Sequence, residues 1–191
     1  QLRQFGLAEH HSLNPLRMGD PRRGPCVAHT AALLWTRGRV RGNRILVRQR
    51  DATMQWEHFA HGADLGVRGC GATPAEAFAA AALALTAAVT DPAAVRQLAT
   101  VEVSCPGHDL PLLLYDWLNR IVYEMATRLA VYGAFEVEID AGGLRGRLHG
   151  EPIDPARHAP AVEPKGATFT LLEVAQDADG GWHAQCVASS V

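Results

Sequence analysis

Read for its apolar positions, the chain changes character at residue 54. Before it, neither a period of two nor one of 3.6 is sustained. After it, Trp56-Glu-His-Phe59 and Leu65-Gly-Val-Arg-Gly-Cys70 have the look of short strands, broken at Gly62 and Gly66. Thr73-Pro-Ala-Glu76 predicts a helix start. Thr73 can accept from the unbonded N–H groups of the first turn, Pro74 suits a position where no N–H is needed, and Glu76 completes a capping box. The helix should run to about Val89, nearly all Ala with Phe78, Leu83 and Leu85, and stop at Asp91-Pro92, because proline disfavours helical backbone in the residue before it. Side chains this small let it lie close to a sheet.

Thr100-Val-Glu-Val-Ser104 alternates as a half-buried strand does. Asp109 is a cap for a second helix running to about Val131. There Leu110, Leu113, Leu114, Trp117, Leu118, Ile121 and Val122 recur every three or four residues, with Asp116, Asn119, Arg120 and Glu124 between them. One face is predicted to be core and the other wet. Phe135-Glu-Val-Glu-Ile-Asp140 alternates again, Gly142-Gly143 supplies a hairpin turn, and Leu144 to His149 returns. Ala167 to Val174 and Trp182 to Ala188 are the last expected strands, parted by the turn-rich Asp177-Ala-Asp-Gly-Gly181. Two helices among about six strands predict an α+β fold, a two-layer sandwich with both main helices on one face of a mixed β-sheet. There is no internal repeat, and no GxGxxG, P-loop or nucleophile-elbow pattern to support nucleotide cradling or serine hydrolysis.

Charge sharpens the boundary. Residues 1–53 hold ten Arg against three acidic residues, a balance of +7, whereas residues 54–191 hold eight basic against seventeen acidic, a balance of −9. Runs such as Asp20-Pro-Arg-Arg-Gly-Pro25 and Arg37-Gly-Arg-Val-Arg-Gly42 bury too little apolar surface to offset chain entropy. Residues 1–53 are therefore expected to be a disordered basic N-terminal extension, with the folded domain at 54–191. The chain begins at Gln1 while Met54 stands just before the first patterned segment, so Met54 is expected to be the natural start. The functional alternative is a basic arm that grips RNA phosphates. No stretch reaches the ~18 apolar residues of a membrane span, and no secretory signal is visible, which places the protein in the cytoplasm. The four cysteines are scattered without a CxxC pair, so buried free thiols are expected rather than a zinc site or a disulfide framework.

The segment with the most chemistry is His58-Phe-Ala-His61-Gly-Ala-Asp64-Leu-Gly66, set between two strands. Asp64, flanked by small residues, would present a hard carboxylate oxygen of the kind that suits Ca²⁺, Mg²⁺ or Mn²⁺. Taken singly, Asp64 is more often a turn former than a ligand, and His61 more often a satisfied surface or core histidine. Glu151, Asp154, Arg157 and His158 mimic an acid/base cluster, but a Pro-rich turn without a nucleophile beside it points to loop structure.

His61-Gly-Ala-Asp64-Leu-Gly66 resembles the His-x-Ala-Asp-x-Gly signature of the archeases. Thr73-Pro-Ala-Glu-Ala-Phe78, Leu114-Tyr-Asp-Trp-Leu-Asn119, Gly150-Glu-Pro-Ile-Asp154-Pro-Ala-Arg-His158 and Lys165-Gly-Ala-Thr168 resemble further archease segments in the same order. The likeness spans residues 54–191. It implies a non-catalytic accessory protein that promotes guanylylation and multiple turnover of an RtcB-type RNA ligase in tRNA splicing and RNA repair. It also implies a divalent metal site, usually Ca²⁺, where the first loop meets the C-terminus. The ligands corresponding to the family's would be Asp64, Ser190 and Val191 with its carboxylate. Ser190 stands where the family usually has Asp, which removes a charge and implies weaker binding unless another carboxylate, such as Asp140, compensates. Thr170 stands near a position where archeases often carry His. Asp116, Asn119 and Lys165 match family positions, with surface and partner-contact roles both open. The −9 balance of the domain favours contact with a basic protein over direct contact with nucleic acid. The rival readings are a metal-dependent hydrolase using Asp64 with His58 or His61, and a general chaperone or interaction module.

Overall fold

The computed structural model describes residues 18–19, 54–62 and 64–190, with 18, 19 and 190 described for their backbone alone. Expectations for residues 1–53 lie outside the described residues, save that Met18–Gly19 (β1) runs parallel to β2 opposite His58 and Phe59. β2 (Gln55–His61) and β3 (Asp64–Gly71) form an antiparallel hairpin whose turn places Gly62 at a φ of +61°, a left-handed backbone that glycine adopts without a Cβ clash. Gly66 does not break the strand as expected. It lies within β3, and a Cβ there would sit 2.1 Å from the Phe59 ring, so the glycine makes room for the phenyl group.

α1 (Pro74–Val89) begins as the sequence predicts: the Glu76 N–H donates to Thr73 Oγ1 at 3.2 Å, and Glu76 Oε2 accepts the Ala72 N–H at 2.7 Å. After a short turn of 3₁₀ helix at Pro92–Ala94 come β4 (Ala99–Pro106) and α2 (Leu110–Arg128), capped by Asp109, whose Oδ1 accepts the Leu112 N–H. α2 ends three residues earlier than its apolar spacing suggests. Leu129 turns left-handed with φ 49°, and Ala130 already belongs to β5 (Ala130–Asp140), where Val131 is buried. β6 (Gly143–Pro152), the four-residue α3 (Pro155–His158), β7 (Pro164–Ala167), β8 (Glu173–Gln176) and β9 (Trp182–Ser190) complete the chain. The strand expected over Ala167–Val174 is thus two short strands with a protruding loop between them.

The α+β class and the two main helices are as read from the sequence, but the strands divide between two sheets. One runs β1-β2-β3-β9-β7 with β8 also on β9, and only its β1–β2 pair is parallel; the other is the antiparallel β4-β6-β5. α1 packs on β3 and β9 of the first sheet and on β5 of the second, which is why Ala77 to Ala82 are all buried. Its alanines let backbone meet backbone, and a Cβ at Gly69 would lie 2.1 Å from the Ala81 nitrogen. α2 buries Leu113, Leu114, Trp117, Leu118 and Ile121 in the same core, and each fully buried side chain of this kind stabilises by about 2 kcal/mol. Trp117 satisfies its one donor by giving its indole N–H to the Phe78 carbonyl at 3.2 Å, which joins the two helices. Cys105 and Cys186 are buried free thiols, whereas Cys70 is disulfide-bonded, against expectation. Among the described residues no helix is long and apolar enough to cross a membrane.

Candidate functional site

Asp64 opens β3 opposite His61, the last residue of β2, and both are exposed. Neither hydrogen bond nor ion pair holds the Asp64 carboxylate among the described residues. On the other flank β3 pairs with β9, Leu65 opposite Ala188, so the end of β9 runs past Asp64. β9 in turn pairs with β7, Gly166 opposite Ser189 and Pro164 opposite Ser190, and the Ser189 hydroxyl donates to the Gly166 carbonyl at 3.3 Å. The larger sheet therefore gathers the hairpin of Asp64, the end of β9 and the strand of Lys165 at one end of its strands, an edge made of strand termini. Ser190 reaches it with its backbone; Val191 lies outside the described residues. Among the described residues no group of three or more His, Cys, Asp and Glu is arranged to hold a metal.

His58 takes no part in this edge. It faces α1, 1% exposed, with its Nε2–H donating to the Ala84 carbonyl at 2.7 Å. Burial pushes its pKa below the usual imidazole value, only partly opposed by that hydrogen bond, so the ring is neutral and enclosed. Asp140, the other carboxylate considered for Ser190's place, belongs to the second sheet. It stands at the β5–β6 turn of the second sheet, bound to Arg145 at 2.8 Å and accepting the Gly142 N–H.

The other family-like positions divide. Asn119 is a clamp: its Oδ1 accepts the Ala167 N–H at 3.1 Å, and its Nδ2 donates to the carbonyls of Tyr115 and Ala167, locking β7 to α2. Asp116 is exposed, and Lys165 is exposed beside Glu163. Glu151, 2% exposed, accepts the Arg96 N–H at 2.7 Å and pairs with the guanidinium groups of Arg96 and Arg157. Arg157 first and Arg96 next hold its carboxyl far below the usual carboxylate range. His158 Nδ1 accepts the Asp154 N–H, so its other nitrogen carries the proton that faces Glu151 at 3.4 Å. These four residues bind β6, α3 and the segment after α1 together, which is the loop role expected of them. What sequence reasoning missed is the loop between β7 and β8, where Phe169 stacks on Tyr115 of α2 with ring centroids 4.3 Å apart; its only signal was an aromatic residue within a supposed strand.

Comparison with known proteins gives this geometry a context. A family described as the Archease protein family matches residues 56–188. The chain is similar to the protein archease of Pyrococcus furiosus, 37% identical over 137 residues that cover 70% of this chain and 96% of that protein. It is 36% identical over 138 residues to the protein archease of Methanopyrus kandleri, covering 70% and 98%. The solution structure of Methanobacterium thermoautotrophicum protein 1598 superposes with a TM-score of 0.58 at 28% identity, covering 69% of this chain and 96% of the other. The chain belongs to the archease family.

Proposed function

We propose that this protein is a cytoplasmic, non-catalytic activator of an RtcB-type RNA ligase, promoting the ligase's guanylylation and multiple turnover in tRNA splicing and RNA repair. The observation that carries the reading is the meeting of the Asp64 carboxylate, unpartnered among the described residues, with the end of β9 at one exposed end of the sheet. Asp64 would hold a divalent ion, Ca²⁺ in preference to Mg²⁺ or Mn²⁺, together with Ser190 and the terminal residue Val191. The donors fit a hard cation in kind, all being oxygens, yet the described residues contribute only one charged ligand. Bound there, a cation would supply positive charge that orders the edge for docking. The chain's own residues do the rest: the β2–β3 hairpin sets Asp64, and Asn119 fixes β7 beside β9. The hydrolase reading loses one of its two histidines, since His58 is enclosed and neutral.

The test is a guanylylation assay of an RtcB-type ligase with GTP and Mn²⁺, with and without this protein. Wild type should accelerate the step. Asp64→Ala should lower the acceleration by at least about tenfold, since loss of even an outer metal partner weakens such sites by that much. No acceleration by wild type removes the activator reading; full acceleration by the variant removes the metal role alone.

A further inference from the structure

The large exposed apolar side chains include three that are not scattered and that gather around the half-buried Tyr115. Phe169 (63% exposed) and Leu171 (42%) lie in the loop between β7 and β8. Phe169 is stacked on Tyr115, one helical turn from Leu112 (51%) on α2. The loop that presents them is stiff. Thr168 donates through both its N–H and its hydroxyl to the Val187 carbonyl, and that hydroxyl also accepts the Thr170 N–H. Val187 in turn donates its N–H to the Thr170 carbonyl. Leu171 holds a φ of +52°, a conformation that side-chain-bearing residues seldom adopt, and it does so in a loop pinned on both sides. The patch is continuous with the edge described above, because Ala167, directly before the loop, is paired with Ala188 of β9.

Its surroundings are acidic. Asp109 and Asp116 flank Leu112 on α2, and Glu173 follows the loop. The nearby cations Lys165 and Arg120 are already beside Glu163 and Glu124. An aromatic and aliphatic centre with a negative rim matches a protein surface that offers an apolar pocket among basic residues, and it repels both nucleic-acid phosphates and anionic lipid. Resting on the activator reading, we infer that Phe169, Leu171, Leu112 and Tyr115 form the anchor by which this protein grips the basic surface of its ligase, beside the Asp64 edge. Phe169 is the central contact, and Asp116 steers the encounter.

The experiment uses the full chain and an RtcB-type ligase, with affinity measured by calorimetry and guanylylation followed in parallel. Phe169→Ala and Leu112→Ser should each raise the Kd, and the activator concentration needed for half-maximal acceleration, by about tenfold or more. Maximal acceleration at saturation, thermal midpoint and Ca²⁺ affinity should stay at wild-type values, because both side chains are more than half exposed. Asp116→Lys should slow association at low salt and have little effect at high salt. Wild-type affinity in both apolar variants, with wild type itself binding and accelerating, overturns the anchor and leaves the activator reading standing. Absence of any wild-type binding overturns both. Loss of self-association in Phe169→Ala, with ligase affinity unchanged, assigns the patch to a second copy of the chain and overturns the anchor too.

Discussion

Two carboxylates of this protein sit in segments that look alike in sequence, each in a polar, glycine- or proline-marked stretch with histidines close by. Glu151 is enclosed, and two guanidinium groups and a backbone N–H already occupy its oxygens. Asp64 is exposed at the end of a hairpin with its oxygens unpartnered among the described residues. What separates a structural carboxylate from one available to a ligand is whether its lone pairs are already taken. Burial sharpens the difference, because an enclosed charge must be paired whereas an exposed one is satisfied by water until something better arrives.

The comparison breaks most visibly in stability. Glu151→Gln leaves Arg96 and Arg157 facing a neutral amide, and should lower the thermal midpoint by about 10 °C. Asp64→Ala, measured without calcium, should move it by no more than about 1 °C, as a surface substitution does. Equal shifts in calorimetry would show that the two sites are not different in kind.

Acid separates buried groups in the same way. A folded carboxyl held below its ordinary value of 4.5 contributes stability that is complete above that pH and is lost as pH falls from there through the depressed folded value, so Glu151 governs only the lower limb. His58 acts earlier. Its folded pKa is depressed below 6.5, so the unfolded chain takes up a proton first, and stability begins to fall as pH drops through 6.5. Urea midpoints measured between about pH 7 and pH 5 should decline in wild type and stay level in His58→Gln, which keeps a donor for the Ala84 carbonyl. A decline of equal slope in both would assign the acid sensitivity elsewhere.

Much of this was legible in the chain, and the reasons are local. Thr73-Pro-Ala-Glu76 and Asp109 mark helix starts because capping depends on residues within one turn, and both caps form as read. The end of α2 was misplaced because Leu129 turns left-handed without glycine, against local preference and in favour of joining β5. The division into two sheets was not legible, since strand alternation says which face is buried and not which sheet a strand joins. The fate of Glu151 likewise depends on Arg96, fifty-five residues away in sequence, which no motif connects to it.

The smallest effect tests the candidate edge most directly. Ser190 ends β9 opposite Pro164, on the strand that runs past Asp64. If the two positions address one cation, Ser190→Asp adds a further carboxylate to the set and turns a weak hydroxyl donor into a strong one. Calcium affinity measured by calorimetry should rise about tenfold, a gain of about 1.4 kcal/mol. In the double variant Asp64→Ala/Ser190→Asp that gain should vanish, because the set then holds no more carboxylates than in wild type. A gain that persists without Asp64 would mean that the new carboxylate binds calcium independently, and the edge would then be two neighbouring strand ends rather than one site.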